Sequence, residues 1–595
     1  MTTSSPSNQG SGLNKISSSE DSQEHRIVYQ PAGITSRCRP EKTILDDAEQ
    51  VGISLRSDCG GKGKCGRCKV MATPEAHTAP PEANELNLLS AEEIADDYRL
   101  ACALYPRGSL QITVPPESLD SLEAGDKNRI GESYAIEPVV QRLLVSNNQP
   151  PPDSRQPLDL VEQLLPGSLL GHPHTPTIEV IRQLGRLDRF DDLTLITHRD
   201  LGLRSVLAGR HQASLGVAFD LGTTTLAAYL CDLTSGQIIA SASNANPQRR
   251  HGEDVVSRIA YACEQKQGTE SLQQLAATGL NRLLRFCLEQ SGHAADAIDE
   301  VCLVGNPTMQ HLVLGVHPAT LGSSPYRPVL RTSLDVRPAD IGLELPTGVN
   351  VHLFPLVSGF IGGDTVAAIL ADRTYEREEI TLLLDIGTNG EVVIGNAGQL
   401  WSTSCATGPA LEGAHLSCGM RAVTGAVDRL TIDPDTYQPD LHVIGGGQAL
   451  GLCGSGIIDA LAEMVRTGLV LANGRMVEGL PGVRVDEKGI GREFSLSSAI
   501  RPLTITLNDI RQVQLAKAAL AAGISLLMQH AGYRRFDRLV LTGAFGAKFN
   551  WRNAMAIGML PEIPAGATVE ILENGAGKGA LKALINGRLR HEKDS

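Results

Sequence analysis

The chain has 595 residues, of which 42% are hydrophobic and 20% charged, and a formal net charge of −14. That length exceeds what one hydrophobic core supports, so several domains of ordinary soluble composition are expected. The acidic balance argues against a nucleic-acid binder held by phosphate contacts. No apolar run approaches the roughly 18 residues needed to span a bilayer, so no membrane role and a cytoplasmic location are expected.

Residues 1–24 are rich in Ser, Gln and Asn and carry no apolar segment. They predict a disordered tail rather than a signal peptide. The chain's 12 cysteines, in a long sequence without such a signal, do not suggest a disulfide scaffold.

Residues 25–115 predict a first domain. A short strand starts at Arg26, a helix capped by Thr43 covers 43–51, and a strand covers 109–114. Between them runs Asp58-Cys59-Gly60-Gly61-Lys62-Gly63-Lys64-Cys65-Gly66-Arg67-Cys68, with the spacing C-x5-C-x2-C. A fourth cysteine, Cys102, follows Tyr98-Arg99-Leu100-Ala101. Four thiolates, three of them on one Gly-rich loop, suit an iron–sulfur cluster. The glycines let the loop wrap closely and free N–H groups to hydrogen-bond the sulfurs. Zinc sites usually bring paired C-x2-C knuckles, and only one such pair occurs here.

The plant-type spacing has one residue fewer before the second cysteine. The loop resembles the [2Fe–2S] ferredoxins of the vertebrate and bacterial redox-partner type, which share the β-grasp fold. The resemblance implies that Cys59, Cys65, Cys68 and Cys102 are the ligands. Cys38 is read as a buried or surface thiol. Gly61-x-Gly63-x-x-Gly66 matches a dinucleotide fingerprint, but it contains Cys65 and leads into Lys69-Val70-Met71 rather than a long helix. Glu92, Glu93, Asp96 and Asp97 form either a solvated helix face or a docking patch.

Residues 116–132, entered through Pro115-Pro116, are polar and read as a linker. Residues 133–211 predict a small α/β middle domain, with strands over 136–145 and 193–197 and helices over 158–165 and 177–187. It carries no catalytic constellation, and its expected role is dimerisation or packing.

Residues 212–595 hold the rest of the chemistry. Gly216-Val217-Ala218-Phe219-Asp220-Leu221-Gly222-Thr223-Thr224-Thr225 reads as a strand ending in Asp and a tight turn, followed by a second strand. The pattern recurs as Leu382-Leu383-Leu384-Asp385-Ile386-Gly387-Thr388-Asn389-Gly390-Glu391. Each turn suits phosphate: glycine lets the backbone approach, successive N–H groups cradle an anion, and hydroxyls add donors. An Asp at each strand end can hold Mg²⁺, usually through water.

The pair of hairpins resembles the two phosphate loops of the actin, hexokinase and heat-shock-chaperone ATPase superfamily, in which duplicated halves close over ATP. A Gly-rich adenosine loop after an apolar strand belongs to that pattern, and Leu539-Val540-Leu541-Thr542-Gly543-Ala544-Phe545-Gly546 fits it. The resemblance implies Asp220 and Asp385 for Mg²⁺ and water. It implies Gly222, Thr223, Thr224, Gly387, Thr388 and Asn389 for phosphates, and Gly543, Ala544 and Gly546 for the adenosine side. Glu391 either orients the attacking water or is a solvent-facing strand residue.

Between the hairpins, helices are predicted over 254–265 and 271–290, and Glu300-Val301-Cys302-Leu303-Val304 reads as a buried strand. Gly362-Gly363-Asp364 opens a helix whose N-terminus suits an anion or is simply capped by Asp364. Cys405, Cys418 and Cys453 lack metal spacing and read as inert thiols. Gly575-Ala576-Gly577-Lys578-Gly579 lacks the first glycine and final hydroxyl of a P-loop.

Taken in order, these parts resemble the reductive activators of corrinoid-dependent enzymes. Gly305-Asn306-Pro307-Thr308-Met309, Cys405-Ala406-Thr407-Gly408-Pro409-Ala410 and Leu452-Cys453-Gly454-Ser455-Gly456 look like segments typical of that family. No cysteine cluster lies near the C-terminus, so a single [2Fe–2S] centre is implied. The resemblance implies ATP-driven return of a corrinoid protein from Co(II) to Co(I), with an upstream electron donor. Two other readings stay open: a ferredoxin-type carrier with a nucleotide-binding docking domain, and a small-molecule kinase with an accessory ferredoxin domain.

Overall fold

The computed structural model describes residues 24–592, apart from 54, 58–60, 62, 64–65, 116–117, 120–122, 125–134, 147–155, 166–175, 188–191, 414–415, 421, 423, 486–490, 497–502 and 547–548. The chain divides into two compact units, Met1–Ser121 and Leu122–Ser595.

Among the described residues, the first unit is built on five strands: β1 (His25–Gln30), β2 (Ile34–Cys38), β3 (Lys69–Thr73), β4 (Tyr98–Leu100) and β5 (Leu110–Thr113). Their order is β2-β1-β5-β3-β4, with β1 and β5 parallel and the other neighbours antiparallel. The helix Ile44–Gln50 lies against this mixed sheet and buries Ile44, Leu45 and Ala48. Thr43 caps it in a reciprocal box with Asp46, which satisfies the first backbone donors. Asp47, on the same helix, is buried and accepts from the Tyr29 hydroxyl at 2.7 Å and from Ser36. Burial, with Asp47 adding, pushes the Cys38 thiol up to about 12, so it stays a packed thiol.

The second unit begins with an addition to the expected linker. Within 116–132, β6 (Glu123–Ala124) pairs with Ala242 and Ser243 of a sheet further on. Next come β7 (Val140–Ser146), β8 (Asp192–His198) and β9 (Gly202–Ala208), an antiparallel meander. The third of these strands escaped the sequence reading. Among the described residues, the helices Pro157–Leu164 and Ile178–Leu184 accompany the meander around Val161, Val180, Leu193 and Leu195. Arg142 of β7 makes a buried two-pronged pair with Asp299, at 2.7 and 2.9 Å, and Ser214 also donates to Asp299 at 2.7 Å. That bond ties the middle segment to the sheet behind it.

That sheet is formed by β10 (Leu215–Leu221), β11 (Thr225–Asp232), β12 (Ile238–Ala245), β13 (Ile298–Gly305), β14 (Leu334–Val336) and β15 (Asn350–Leu353), with β6 at its edge. Strands β10 to β12 form a meander, and β13 runs parallel to β10. The same plan returns in β16 (Thr381–Ile386), β17 (Gly390–Asn396) and β18 (Gln399–Cys405), a meander beside which a later strand again runs parallel. Two small sheets follow, β19 (Ala426–Ile432) with β20 (Pro439–Val443) and β21 (Gly451–Leu452), then β22 (Val483–Val485) with β23 (Arg492–Ser495) and β24 (Thr504–Thr506). The later parallel strand is β25 (Arg538–Thr542), flanked by β26 (Thr568–Ile571). Strands buried on both faces read as unbroken apolar runs, as Leu382-Leu383-Leu384 does.

The helices Gly363–Asp372 and Gly575–Ile585 pack across the join between these two repeats. A Cβ at Gly579 would fall 1.9 Å from the Ala367 carbonyl oxygen, so only glycine permits that approach. Gly579 of the P-loop-like run is thus a helix-packing residue. Among the described residues, no helix is long and apolar enough to cross a membrane.

Candidate functional site

Cys59 and Cys65 lie outside the described residues; Cys68 and Cys102 do not. Cys68 immediately precedes β3 and Cys102 follows β4, and these strands pair with Lys69 opposite Leu100. The Ala101 N–H donates to the Cys68 carbonyl at 2.8 Å, which brings the two cysteines to one end of the ladder. Gly61, Gly63 and Gly66 of the loop all have positive φ, at 81°, 65° and 67°. Side chains would be strained there, and at Gly63 a Cβ would also meet Asn84 at 2.5 Å. Left-handed glycines between the cysteine positions, with Cys68 and Cys102 at one ladder end, fit a cluster held by thiolates.

The edge beside Cys102 is braced by a buried ion pair. Arg99 donates to Glu85 at 3.0 and 2.7 Å, and the Leu100 N–H donates to the same carboxylate at 3.0 Å. Of the acidic residues nearby, Glu93 is committed to capping its own helix and to a pair with Lys69.

The second site lies at the ends of β10 and β16. Asp220 and Asp385 occupy matching places, each near the end of the first meander strand and facing the parallel neighbour at Val304 and Thr542 respectively. Each strand then turns, through Gly222-Thr223-Thr224 or Gly387-Thr388-Asn389. A Cβ on Gly222 would sit 2.5 Å from the Thr225 carbonyl oxygen, so the tight turn requires glycine. In the second turn the Gly387 N–H donates to the Asn389 carbonyl at 2.9 Å, and Thr407 donates to the Thr388 carbonyl at 3.0 Å. β25 ends in Thr542, and the next residue, Gly543, opens the short helical turn Gly543–Gly546. Gly543 has φ +93°, and a Cβ there would fall 2.3 Å from Asp385 Oδ1, so this turn lies directly against the second Asp.

Electrostatics single out the same place. Burial pushes the Asp220 carboxyl up to about 8, with the charges of Asp364 and Asp385 adding. Burial and Asp364 push Asp385 up to about 7. Burial also raises Asp364, although the Thr365 N–H opposes it. Glu391 is raised well above its ordinary range by burial, then by Asp364 and Asp385, while Ser404, donating at 3.2 Å, opposes the shift. Asp364 and Asp385 each raise both Asp220 and Glu391, so the four carboxyls form one acidic group whose repulsion a bound divalent ion would relieve. Among the described residues, no three His, Cys, Asp or Glu side chains are gathered closely enough to hold an ion directly. The donor set therefore fits Mg²⁺ carried on water better than a dry cage.

Glu391, on the central strand of its meander, is buried and is not a solvent-facing strand residue. Asp364 was legible only as a helix start; its carboxyl belongs to the acidic group. Asn306, too, does more than its motif shows: it caps the helix Pro307–Val313 and donates to Thr223 Oγ1 at 2.9 Å. Cys405 and Cys453 are packed, and burial pushes the Cys405 thiol up to about 11.

A ferredoxin-like unit with two described cysteines at one ladder end, and a duplicated body with two phosphate-type turns and a carboxylate group, define an iron–sulfur protein joined to an actin-like ATPase. Family models agree with each part. Residues 27–107 match the 2Fe–2S iron–sulfur cluster binding domain, 215–377 the RACo middle region, and 379–595 the C-terminal ASKHA domain of RACo. The corrinoid activation enzyme RamQ of Eubacterium limosum is 31% identical over 92% of this chain and 90% of its own length. The chain belongs to the RACo family. A Methanosarcina barkeri [Co(II) methylated amine-specific corrinoid protein] reductase is 23% identical over 58% of this chain and 66% of its own. The solved structure of a reductive activator for corrinoid, iron–sulfur protein superposes with a TM-score of 0.70 at 28% identity, covering 96% of this chain and 94% of that one.

Proposed function

We propose that this chain is an ATP-dependent reductive activator that passes one electron to a corrinoid protein and returns its cobalt from Co(II) to Co(I). The observation that carries the reading is the group of raised carboxylates, Asp220, Asp364, Asp385 and Glu391, set between two phosphate-type turns on a chain that also bears the cysteine loop. The names of the relatives supply the substrate class.

Cys59, Cys65, Cys68 and Cys102 would hold the cluster, which supplies a one-electron carrier when bound. Gly222, Thr223, Thr224, Gly387, Thr388 and Asn389 bind the phosphates, and Gly543, Ala544 and Gly546 line the adenosine side. Asp220 and Asp385 hold Mg²⁺ through water. Glu391, its proton affinity raised, orients the attacking water and can take its proton. Residues 133–211 pack against the first repeat and offer a surface for a homodimer. A cytoplasmic setting, an upstream donor and a corrinoid protein complete the system.

The need for ATP follows from redox arithmetic. Plant-type clusters lie near about −400 mV. For one electron, each ~59 mV uphill costs a factor of ten, about 1.4 kcal/mol. Two nucleotide-linked states with different affinity for the corrinoid partner can shift that balance. Calorimetric titration of the iron-loaded chain with Mg²⁺-ATP tests the nucleotide half. Saturable binding, with hydrolysis accelerated by a corrinoid protein, is expected. Formation of a phosphorylated small molecule without a corrinoid partner would instead favour a kinase.

A further inference from the structure

The turn Gly222-Thr223-Thr224 is held from behind by its carbonyl oxygens. Asn246 Nδ2 donates to the Gly222 carbonyl at 2.8 Å, and the Asn246 backbone N–H donates to the Thr224 carbonyl at 2.9 Å. Between them, the Arg258 guanidinium donates to the Thr223 carbonyl. A trans peptide points its N–H opposite to its C=O. Anchoring three successive carbonyls therefore aims the N–H groups of Thr223, Thr224 and Thr225 away from the packed side, where an anion can meet them.

Arg258 is fully buried. Its other bonds go to the Gly252 carbonyl at 3.0 Å, Gln248 Oε1 at 3.3 Å and Met309 Sδ at 3.1 Å. All of these partners are neutral, and among the described residues no carboxylate hydrogen-bonds to the guanidinium. A lone buried charge is costly unless it is compensated. Burial pushes this guanidinium down to about 9, with Arg249 repelling it and Glu253 and Asp254 attracting it. Packing alone does not call for arginine here. The helix Val255–Glu264 buries Val255, Ile259 and Ala262 on the same stripe. The second turn is built differently: the Gly387 and Thr388 carbonyls share the neutral Thr407 hydroxyl, at 3.5 and 3.0 Å.

We propose that Arg258 and Asn246 are positioning residues that aim the first turn's N–H groups at a polyphosphate chain, with the Arg258 charge as its buried counter-charge. The proposal rests on the reading of this cleft as a nucleotide site. It makes the two turns unequal: the first is charged from behind and senses the number of phosphates, whereas the second is neutral.

The test is titration of the full, cluster-loaded chain with Mg²⁺-ATP and with AMP, alongside melting without nucleotide. Arg258→Met should weaken ATP about tenfold or more and AMP by no more than about threefold. Arg258→Lys keeps the charge but loses the planar fork, and Asn246→Ser frees the Gly222 carbonyl; each should weaken ATP by about threefold to tenfold and again spare AMP. These milder variants answer the question should the Met variant fail to fold. A purely structural role would lower the melting point yet leave the ATP-to-AMP affinity ratio unchanged, and that unchanged ratio in the Lys and Ser variants would overturn the proposal. A wild-type chain that binds no ATP would overturn the nucleotide reading itself, and this positioning role with it.

Discussion

Replacing Asp385 by Asn should stabilise the metal-free chain and remove its response to Mg²⁺-ATP. Asp385 is pushed from 3.8 up to about 7 by burial and by the charge of Asp364. A shift of about three units corresponds to roughly 4 kcal/mol against the charged form at high pH. Water and counter-ions entering the cleft screen this to about 1–2 kcal/mol. Asparagine has the same shape, keeps an acceptor and carries no charge, so the variant is relieved of that penalty. For a compact unit as long as residues 122–595, about twice the size at which 1 kcal/mol moves the midpoint by about 2–4 °C, this is a rise of about 1–4 °C in melting temperature. The assay is a thermal melt at pH 8 in EDTA, repeated with saturating Mg²⁺ and ATP. Wild type at a ligand concentration near 100 Kd gains about 2.7 kcal/mol; the variant should gain little. A variant that melts below wild type in EDTA, or keeps the wild-type gain with Mg²⁺-ATP, would refute the reasoning.

Metal-free stability should fall as pH rises from about 6.5 to 8. Asp220, pushed up to about 8, and Asp385, up to about 7, keep protons in the native state that the unfolded chain releases near 3.8. The native state therefore binds more protons across that window, and stability declines with pH. His198, held near 3, and His251, near 4, act in the opposite sense below about 6.5, so the upper window isolates the carboxylates. Denaturant titrations with and without Mg²⁺-ATP check this, and a flat metal-free profile from pH 6.5 to 8 would contradict it. Cys68→Ser should lose the [2Fe–2S] absorption and paramagnetic signals while keeping ATP affinity; an intact cluster spectrum would remove Cys68 from the ligand set. Gly579→Ala should cost about 1–3 kcal/mol or more, because its Cβ would strike the Ala367 carbonyl oxygen at 1.9 Å. A melt unchanged from wild type would show that the helix pair can part freely.

The two hairpins and the cysteine loop were legible because each sets glycine at a defined offset, after an apolar strand and Asp in the hairpins and between the cysteines in the loop. Thr43 as a helix cap and the helical spans near 254–265 and 271–290 were legible from cap residues and helical periodicity, and the helices run Val255–Glu264 and Gly268–Ser291. What the sequence could not show depends on residues far apart in the chain. Asp364 looks like an ordinary helix start until the fold sets it against Asp385. Arg258 and Asn246 meet the first turn only after β12 and the following helix fold back. A signal for Arg258 was present: it interrupts the buried stripe of Val255, Ile259 and Ala262 at a position where an apolar residue is expected. β9 and β6 were missed because one is polar-interrupted and the other is only two residues long. The pairing of Arg142 with Asp299, which fastens the middle segment, has no local signature.

The coupling of electron delivery to nucleotide is tested most directly under anaerobic conditions. Iron-loaded chain, a low-potential reductant and a corrinoid protein poised as Co(II) are mixed, and cobalt absorption is followed with and without Mg²⁺-ATP. Conversion to Co(I) only when ATP is present is the expected result. Equal conversion in both samples would mean that the nucleotide body does no work in the transfer.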